Sequence, residues 1–384
     1  MPDKPLRVVI APDSFKDCMS AETACQSITL GILSIFPDAQ VISFPMADGG
    51  EGTVKTLVTS TKGELINVAC HDPLMRKITG YYGVLADRKI AVIEAAVASG
   101  IELLSKEERD PMKATSYGTG ELILHAIRNG FKKIIVGLGG SAVNDCGAGM
   151  LQALGVSLKD DKNVEIEKGA KGLENIFSID VSHFKEVVEG VQFIIAGDVK
   201  NPLCGPNGAS FVFGPQKGAD ESMVRQLDNY LLRFGKLIEK TMKLSVINLP
   251  GAGAAGGMGA ALTAFMKAEM RSGFTLIAEY ARLEPEIQNA DLVITAEGRT
   301  DSQTLNGKVP FGVCLLCQKY QKPLIILSGS LGEGFESLYD FGASAILSLC
   351  NGPITLSEAL SSGPRQLAKA AENIMRIYKK HQIL

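Results

Sequence analysis

Hydrophobic residues along this chain occur in short continuous runs, separated by polar loops and by segments of helical length. Near the N-terminus, residues 6–11 and 40–46 are strand-like runs, and residues 20–36 between them carry a helical pattern that Ser20 would cap. Near the C-terminus, residues 291–295, 323–327 and 343–347 repeat the strand-like run. Continuous rather than alternating runs suit strands that are covered on both faces, so both ends of the chain predict a parallel sheet in an α/β fold.

The middle of the chain follows a different pattern. Residues 64–95 read as three consecutive strands with turn-like breaks, which is typical of an antiparallel meander. A helix over residues 119–128 and a strand over residues 133–138 follow, and the run FIIAGDV comes later. We therefore predict a doubly wound, Rossmann-like parallel-sheet domain from residues 1–62 plus 288–384, with a mixed α/β domain inserted at residues 63–287.

Composition and charge limit the classes of protein to which this chain can belong. A hydrophobic fraction of 46% and a charged fraction of 21% are ordinary for a soluble globular chain. The formal net charge of −3 argues against a nucleic-acid partner, which would select a basic surface. The charge-free stretch 244–266 contains Pro250 and five glycines, so we expect no membrane span there.

The cysteines indicate a reducing compartment. Eight of them are dispersed along the chain without the spacing of a disulfide framework, which predicts free thiols and a cytoplasmic location. Cys314 and Cys317 form a C-x-x-C pattern, but they lie in VCLLCQK, which we interpret as the apolar face of a helix.

Glycine is over-represented, and it is concentrated in loops that also carry acids or amides. The chain has 41 glycines in 384 residues, against a usual fraction of about 7%. Five such segments follow predicted strands: residues 12–16 (PDSFK), 47–53 (ADGGEGT), 137–145 (GLGGSAVND), 197–202 (GDVKNP) and 297–304 (EGRTDSQT). Glycine loops can present backbone N–H groups to an anion, and acids beside them suit a Mg²⁺ ion that bridges to phosphate. These loops therefore favour phosphoryl transfer, although turn formation and helix capping alone also select Gly, Asp, Ser and Asn.

The common nucleotide-binding motifs are mostly missing. No G-x-x-x-x-G-K-[ST] sequence occurs, because Gly307-Lys308 is followed by valine and lacks the upstream glycine. One G-x-G-x-x-G occurs at residues 251–256, and it keeps a nicotinamide-dependent oxidoreductase as an alternative. Pro250 precedes it, so we interpret it as the start of a small-residue helix that packs closely or passes near a phosphate.

Several long segments of the sequence resemble those of the bacterial type 1 glycerate kinase family. They are APDSFK (11–16), MADGGEGT (46–53), GLGGSAVND (137–145), DVKNPL (198–203), FGPQKGA (213–219), residues 250–260 and DLVITAEGRTDSQTLNGK (291–308). They span nearly the whole chain in the family's order. Departures at Asp17-Cys18 and Cys146 do not change a candidate reacting group.

The resemblance implies ATP-dependent phosphorylation of D-glycerate with Mg²⁺, in a cleft between the two domains. The family's product is 2-phosphoglycerate, but the residues alone leave attack by the 3-hydroxyl open. A sugar-acid-binding protein remains the alternative outside enzymology. The oligomeric state is left open, a homodimer included.

The resemblance also supplies candidate site residues. Asp198 and Asp301 both qualify as the general base, and we favour Asp198, in the inserted domain. We expect Lys16 to meet the glycerate carboxylate or the transferring phosphoryl group. The expected glycerate-binding residues are Asp13, Ser14, Asp48, Gly49, Gly50, Glu51, Arg299, Asp301 and Gln303. The expected nucleotide-binding residues are Gly139, Gly140, Ser141, Asn144, Asp145, Asn201, Gly253, Gly256 and Gly257. Glu297 and Asp301 are the candidate metal ligands.

Overall fold

The chain folds into two compact units. The computed structural model describes residues 5–47, 52–350 and 352–381. Unit 1 comprises Met1–Asp48 and Phe274–Leu384, and unit 2 comprises Gly49–Gly273. The boundaries expected from the sequence, 62/63 and 287/288, fall later in the chain. The first difference arises because the helix at residues 53–61, which the pattern joined to the preceding strand, packs on strands of unit 2.

The elements alternate between strand and helix through much of the chain. The strands are β1 (Arg7–Ile10), β2 (Gln40–Ser43), β3 (Glu64–His71), β4 (Lys77–Val84), β5 (Ile90–Glu94), β6 (Lys133–Gly137), β7 (Ser157–Lys159), β8 (Ser178–Asp180), β9 (Gln192–Ala196), β10 (Glu269–Arg271), β11 (Leu292–Thr300), β12 (Leu324–Leu331) and β13 (Ala345–Ser348). The helices are α1 (Ala21–Leu33), α2 (Thr53–Thr61), α3 (Ala96–Ser99), α4 (Tyr117–Arg128), α5 (Ala148–Ala153), α6 (Ser182–Val187), α7 (Ala209–Phe213), α8 (Glu221–Met242), α9 (Ala254–Met266), α10 (Gly273–Tyr280), α11 (Leu283–Gln288), α12 (Val309–Tyr320) and α13 (Leu356–His381). Short 3₁₀ turns include Pro215–Lys217 and Ser302–Asn306.

Unit 1 is built on one parallel sheet with the order β13-β12-β11-β1-β2. Both ends of the chain contribute strands to it, and every strand pairs in parallel with its neighbour. Helices α1 and α13 pack against each other beside this sheet. Ser20 caps α1 by accepting a hydrogen bond from the Thr23 N–H at 3.2 Å. The α/β fold class and the parallel sheet made from both chain ends are confirmed.

Unit 2 contains a six-stranded mixed sheet with the order β10-β9-β6-β5-β4-β3. Strands β3, β4 and β5 form the expected antiparallel meander, and β5, β6, β9 and β10 then pair in parallel. The carboxyl ends of β5, β6 and β9 therefore lie at the same edge of the sheet. The loops after these strands, which include the glycine-rich segment at 137–145, are brought together there.

The small-residue turn at residues 251–257 departs from a simple helix start. Ala255, Gly256 and Gly257 have positive φ values of 49°, 64° and 95°, so the regular part of α9 begins only after Gly257. A side chain on Gly256 would collide with the Val143 carbonyl, and a Cβ on Gly257 would lie 2.8 Å from the Cys146 Cα. The glycines are thus required by left-handed backbone and by close approach to the 137–145 loop.

Two smaller expectations concern thiols and membrane spans. Cys314 and Cys317 are both buried on α12, which confirms the interpretation of VCLLCQK as an apolar helix face. All eight cysteines are free thiols. Within the described ranges, no helix is long and apolar enough to cross a membrane.

Candidate active-site loops

The loops after β1 and β11 meet at one edge of the unit 1 sheet, because these two strands are parallel neighbours. A Cβ on Gly298 would lie 3.5 Å from the Phe15 Cα and 3.7 Å from the Lys16 nitrogen. Lys16 and Ser14 are exposed. The Asp13 carboxylate accepts a hydrogen bond from the Ser14 N–H at 2.7 Å. This edge therefore offers a cation beside two of the predicted glycerate-binding residues.

Glu297 and Asp301 are joined through Thr304. The Thr304 hydroxyl donates to Glu297 Oε1 at 2.8 Å and accepts from the Asp301 N–H at 3.2 Å. Glu297 is only 4% exposed, although it lies within β11 rather than in a loop, and burial raises its pKa. Asp301 caps the 3₁₀ turn that follows by accepting from the Gln303 N–H at 2.9 Å, and it pairs with Arg299 at 3.0 Å. Arg299 and Gln303 themselves are exposed.

This pair does not fit a resident magnesium ion. Both oxygens of the Asp301 carboxylate already have partners, Glu297 Oε1 accepts from the Thr304 hydroxyl, and burial raises the pKa of Glu297. In the parts of the chain that the structure describes, no group of three or more His, Cys, Asp or Glu side chains is placed to hold a metal. Neither residue is therefore assigned as a metal ligand.

In unit 2, the glycine loop (residues 137–145) connects β6 to α5. Gly140 is exposed with a φ of 69°, and a Cβ there would lie 3.1 Å from the Ala96 Cβ. The loop is held to α3 and its surroundings by bonds from the Ile101 N–H to the Gly140 carbonyl and from the Ala142 N–H to the Ser99 carbonyl, each at 2.8 Å. Within the described ranges, the N–H groups of Gly140 and Ser141 have no protein acceptor. They are two donors of this loop that remain available to an anion.

The side chains at the end of the glycine loop are buried in the protein interior. Asn144 and Asp145 are fully buried. The Asp145 carboxylate accepts from the N–H groups of Ser116, Gly147 and Gly149, at 2.8, 3.1 and 3.2 Å, and burial raises its pKa. These bonds fasten the start of α5 to the segment before α4. The Asn144 amide donates to Ser210 at 2.9 Å, while its buried oxygen has no acceptor role within the described residues.

The small-residue turn lies directly against the glycine loop. The Cys146 N–H donates to the Gly256 carbonyl at 2.9 Å, and the Gly253 N–H donates to the Asn201 carbonyl at 3.0 Å. Two glycine segments that lie far apart in the sequence, together with Asn201, therefore form one structural assembly. Gly256 and Gly257 are buried in it and serve close packing.

Asp198 follows β9, and its side chain contacts the last two residues of unit 2, Ser272 and Gly273. Its carboxylate accepts from the Gly273 N–H at 3.3 Å and lies 3.4 Å from the Ser272 hydroxyl. The side chain is partly exposed, so a substrate hydroxyl can reach it. Asp48, Gly49, Gly50 and Glu51 lie outside the described residues, so their predicted roles have no structural account.

Two buried charged residues beside these loops were not identified from the sequence. The Lys217 ammonium donates to the Val143 carbonyl at 2.6 Å and to the Ser141 hydroxyl at 3.1 Å. The Glu94 carboxylate accepts from the N–H groups of Gly52 and Val54 at the start of α2, at 2.8 and 3.3 Å. Lys217 belongs to the word FGPQKGA, but nothing in that word marks the lysine as buried. Glu94 ends an apolar strand, and that position was the available signal.

A cavity of about 490 Å³ adjoins the glycine loop. It is lined by Gly52, Lys55, Ile78, Thr79, Tyr81, Glu94, Ala96, Val97 and Leu103. Ala96 connects the two features, since it lines the cavity and also lies next to Gly140. The volume is within the range of cavities that bind small molecules.

Comparisons with known proteins agree on one family. The model of the glycerate kinase family matches residues 8–379. The chain is 46% identical to the glycerate 2-kinase of Escherichia coli strain K12 over 96% of its own length and 97% of the relative. It is 44% identical to a glycerate kinase of Halalkalibacterium halodurans, with 96% and 97% covered.

The fold gives the same answer. A crystal structure from Salmonella typhimurium LT2, provisionally assigned as glycerate kinase 2, superposes with a TM-score of 0.88 at 44% identity, covering 99% of this chain and 100% of that one. Neither the oxidoreductase nor the sugar-acid-binding alternative is supported by these relatives. With matching motifs, sheet order and relatives along nearly its whole length, the chain belongs to the glycerate kinase family.

Proposed function

We propose that this enzyme transfers the γ-phosphoryl group of ATP to the 2-hydroxyl of D-glycerate, giving 2-phosphoglycerate, with Mg²⁺ bound to the nucleotide phosphates. The choice of the 2-hydroxyl rests on the relative named glycerate 2-kinase, which is 46% identical over nearly the full chain. The 3-hydroxyl remains the alternative acceptor.

The observation that carries the nucleotide site is the pair of N–H groups on Gly140 and Ser141, for which the described residues offer no acceptor. Backbone donors of this kind suit phosphate oxygens, and the exposed, left-handed Gly140 lets a phosphate approach the backbone closely. The adjoining cavity of about 490 Å³ offers space for the base and ribose. The small-residue turn packs against this loop and supports it, and it offers the nucleotide no exposed donors. The residues concerned are Asn201, Gly253, Gly256 and Gly257.

Glycerate needs a cation for its carboxylate and a base for its hydroxyl. Lys16 is exposed beside Asp13 and Ser14, and we assign it to the carboxylate or to the transferring phosphoryl group. Asp198 is assigned as the base that accepts the hydroxyl proton, since a kinase acceptor must lose its proton as the phosphoryl group arrives. Arg299, Asp301 and Gln303 are kept as candidate glycerate-binding residues at the end of β11.

Magnesium would neutralise charge that develops on the phosphates during transfer. Mg²⁺ usually keeps several waters and few protein ligands, so it can arrive with ATP and needs no resident protein site. The remaining steps depend on this chain's own groups: N–H donors hold the phosphates, Lys16 holds an anion, and Asp198 takes a proton.

A single assay tests both the class of reaction and the acceptor. Purified enzyme is given ATP, Mg²⁺ and D-glycerate, ADP formation is followed by a coupled assay, and the product is identified by ³¹P NMR against both phosphoglycerates. We expect ADP formation only when glycerate is present, with the 2-phosphate as product. A 3-phosphate product would reassign the acceptor hydroxyl, and no glycerate-dependent ADP would refute the proposed function.

Location and assembly are separate proposals. The cytoplasm is our proposed location, since all eight cysteines are free thiols. A homodimer stays a prediction that size-exclusion chromatography with light scattering can test.

A further inference from the structure

Lys217 is an unusual lysine because it is buried without a carboxylate partner. Only 2% of it is exposed, and of the described residues it is the only buried lysine or arginine. No carboxylate in the described ranges lies within ion-pair distance of its Nζ atom, whose hydrogen bonds go to the Val143 carbonyl and the Ser141 hydroxyl. Burying an ammonium without a paired charge is costly, so a purely structural position would be filled more favourably by an apolar side chain.

Lys217 hydrogen-bonds to the part of the glycine loop that carries the available N–H donors. Val143 and Ser141 flank Ala142, whose own N–H is bound to Ser99. Two further hydrogen bonds hold the end of the loop. Asn144 donates to Ser210, and Cys146, the next residue after the loop, donates to the Gly256 carbonyl. Lys217 thus fixes the orientation of Ser141 next to the proposed phosphate position, and it is the one positive charge that reaches the loop from the described residues around it.

Two opposing effects set the pKa of this lysine. Burial lowers the pKa of Lys217 to about 7, and the Asp145 carboxylate opposes that shift. The charged group that acts on it is the Asp145 carboxylate, which Cys146 follows in the chain, and the Arg109 backbone lies against Gly218, the residue after Lys217. Burial raises the pKa of Asp145 and of Cys146. An anion placed at the loop would stabilise the protonated amine relative to the neutral one.

We propose that Lys217 is a positioning residue for nucleotide binding, which fixes the glycine loop through Val143 and Ser141 and takes up one proton from solvent when a phosphate binds there. The inference rests on the proposed function, which assigns the nucleotide phosphates to this loop. Its consequence is a thermodynamic link between pH and nucleotide affinity. Above about pH 7 the amine is increasingly neutral in the free enzyme, so binding must supply a proton and affinity falls as pH rises, by at most tenfold per pH unit for one proton.

The experiment is calorimetric titration of the full-length enzyme with Mg²⁺ and the non-hydrolysable analogue AMP-PNP from pH 7.5 to 9.5. This range lies above the last ionisation of a phosphate monoester, at about pH 6. Buffers of different ionisation enthalpy give the number of protons taken up. The variants are Lys217→Met, which keeps the length and apolar stem, Lys217→Arg, which keeps a permanent charge, and Lys162→Met, which removes an exposed lysine of the same unit.

We expect wild type and Lys162→Met to take up a fraction of a proton at pH 8 and to bind several-fold more weakly for each added pH unit. Lys217→Met should bind about tenfold more weakly at pH 7.5, take up no proton and show no slope, while the KM for glycerate stays unchanged. Lys217→Arg should bind without a pH slope. Because Asp145 and Cys146 remain in both variants, the differences isolate the lysine.

Equal proton uptake in wild type and Lys217→Met, or a raised KM for glycerate with unchanged nucleotide affinity, would overturn the inference. Should Lys217→Met fail to fold, Ser141→Ala removes one of the two acceptors and keeps the lysine, and unchanged proton uptake there would overturn it as well. Wild-type enzyme that makes no ADP with glycerate would instead mean that the proposed function is wrong. The two failures are therefore distinguishable.

Discussion

Residues of similar chemistry have very different surroundings in this chain. Lys16 and Lys217 both lie in words that resemble the family, yet one is exposed and the other is 2% exposed. Asp198 is partly exposed, whereas Asp145 is fully buried and accepts three backbone N–H groups. Exposure separates residues that can meet a ligand from residues that hold the loops in place.

Lys16→Ala should abolish most activity without harming the fold. The side chain is exposed, so its removal creates no cavity, while loss of a cation that meets a substrate anion costs about 100-fold in kcat/KM. Steady-state kinetics and thermal melting measure the two effects. Lys380→Ala, an exposed lysine of the same unit, is the control and should behave as wild type. Near wild-type kcat/KM in Lys16→Ala would remove Lys16 from the site.

Asp198→Asn and Asp301→Asn separate a general base from a residue that binds the substrate. Loss of a general base lowers kcat by at least about 100-fold and leaves the Mg²⁺ requirement unchanged. An asparagine at 198 can still accept from the Gly273 N–H, so the fold should be kept. For Asp301→Asn we expect a raised KM for glycerate with an unchanged Mg²⁺ requirement. Full turnover in Asp198→Asn together with a dead Asp301→Asn at every Mg²⁺ concentration would reverse the assignment.

At the scale of elements, the functional features are gathered by strand order. The loops after β1 and β11 meet because these strands pair, and the loop after β6 meets the segments after β5 and β9 for the same reason. The small-residue turn then packs on the glycine loop through contacts that only glycine allows. Two elements far apart in sequence thereby form one rigid support for the proposed nucleotide site.

Gly140→Val should weaken nucleotide binding more than tenfold. The branched side chain would be strained at a φ of 69°, would crowd Ala96 at 3.1 Å and would block the approach of a phosphate to the backbone. Gly190→Val is a matched control, because Gly190 has a φ of 67° with nothing within 4 Å of a Cβ. Both variants carry the same backbone strain, so the difference in AMP-PNP affinity reports the site. Unchanged affinity in Gly140→Val would move the phosphates to another loop.

Asp145→Ala should destabilise the protein. The substitution leaves buried N–H groups of Ser116, Gly147 and Gly149 without an acceptor, at a total cost of about 3 kcal/mol or more. For a unit of this size that corresponds to a fall of roughly 6–12 °C in melting temperature. Asp161→Ala, at an exposed position, should leave the melting temperature unchanged. A melting temperature equal to that of wild type would show that Asp145 does not hold the loop.

At the scale of the whole molecule, the buried lysine links stability to pH. The folded pKa of Lys217 is lowered to about 7, below the ordinary value of 10.5. Between these two values the unfolded chain binds more protons than the folded protein, so this group makes the free energy of unfolding rise with pH; below about pH 7 its full cost is present.

Lys217→Met lacks this dependence. The melting temperature of wild type relative to Lys217→Met should therefore rise steadily from pH 7 to pH 9.5, since all other titrating groups are shared. Differential scanning calorimetry of both proteins at matched ionic strength measures it. A constant difference across this range would mean that the lysine keeps an ordinary pKa.

The sequence by itself determined the fold class, the family and most elements. Continuous apolar runs specify buried parallel strands, alternation specifies the meander at residues 64–95, and the Ser20 cap and the buried C-x-x-C helix follow from local chemistry. These features depend on neighbours in the chain, so a pattern along one dimension contains them.

Only the tertiary structure decided which loops touch and which charges are buried. The sequence could not join the 251–257 glycines to the 137–145 loop, because strand order, not sequence distance, brings them together. It could not show that Asp145 and Lys217 are buried while Lys16 is exposed, since burial depends on elements that pack from elsewhere in the chain. For the same reason Glu297, expected in a loop, lies within a strand with a raised pKa. Hydrogen-bond partners and pKa values are properties of the packed environment, and that environment exists only once the chain has folded.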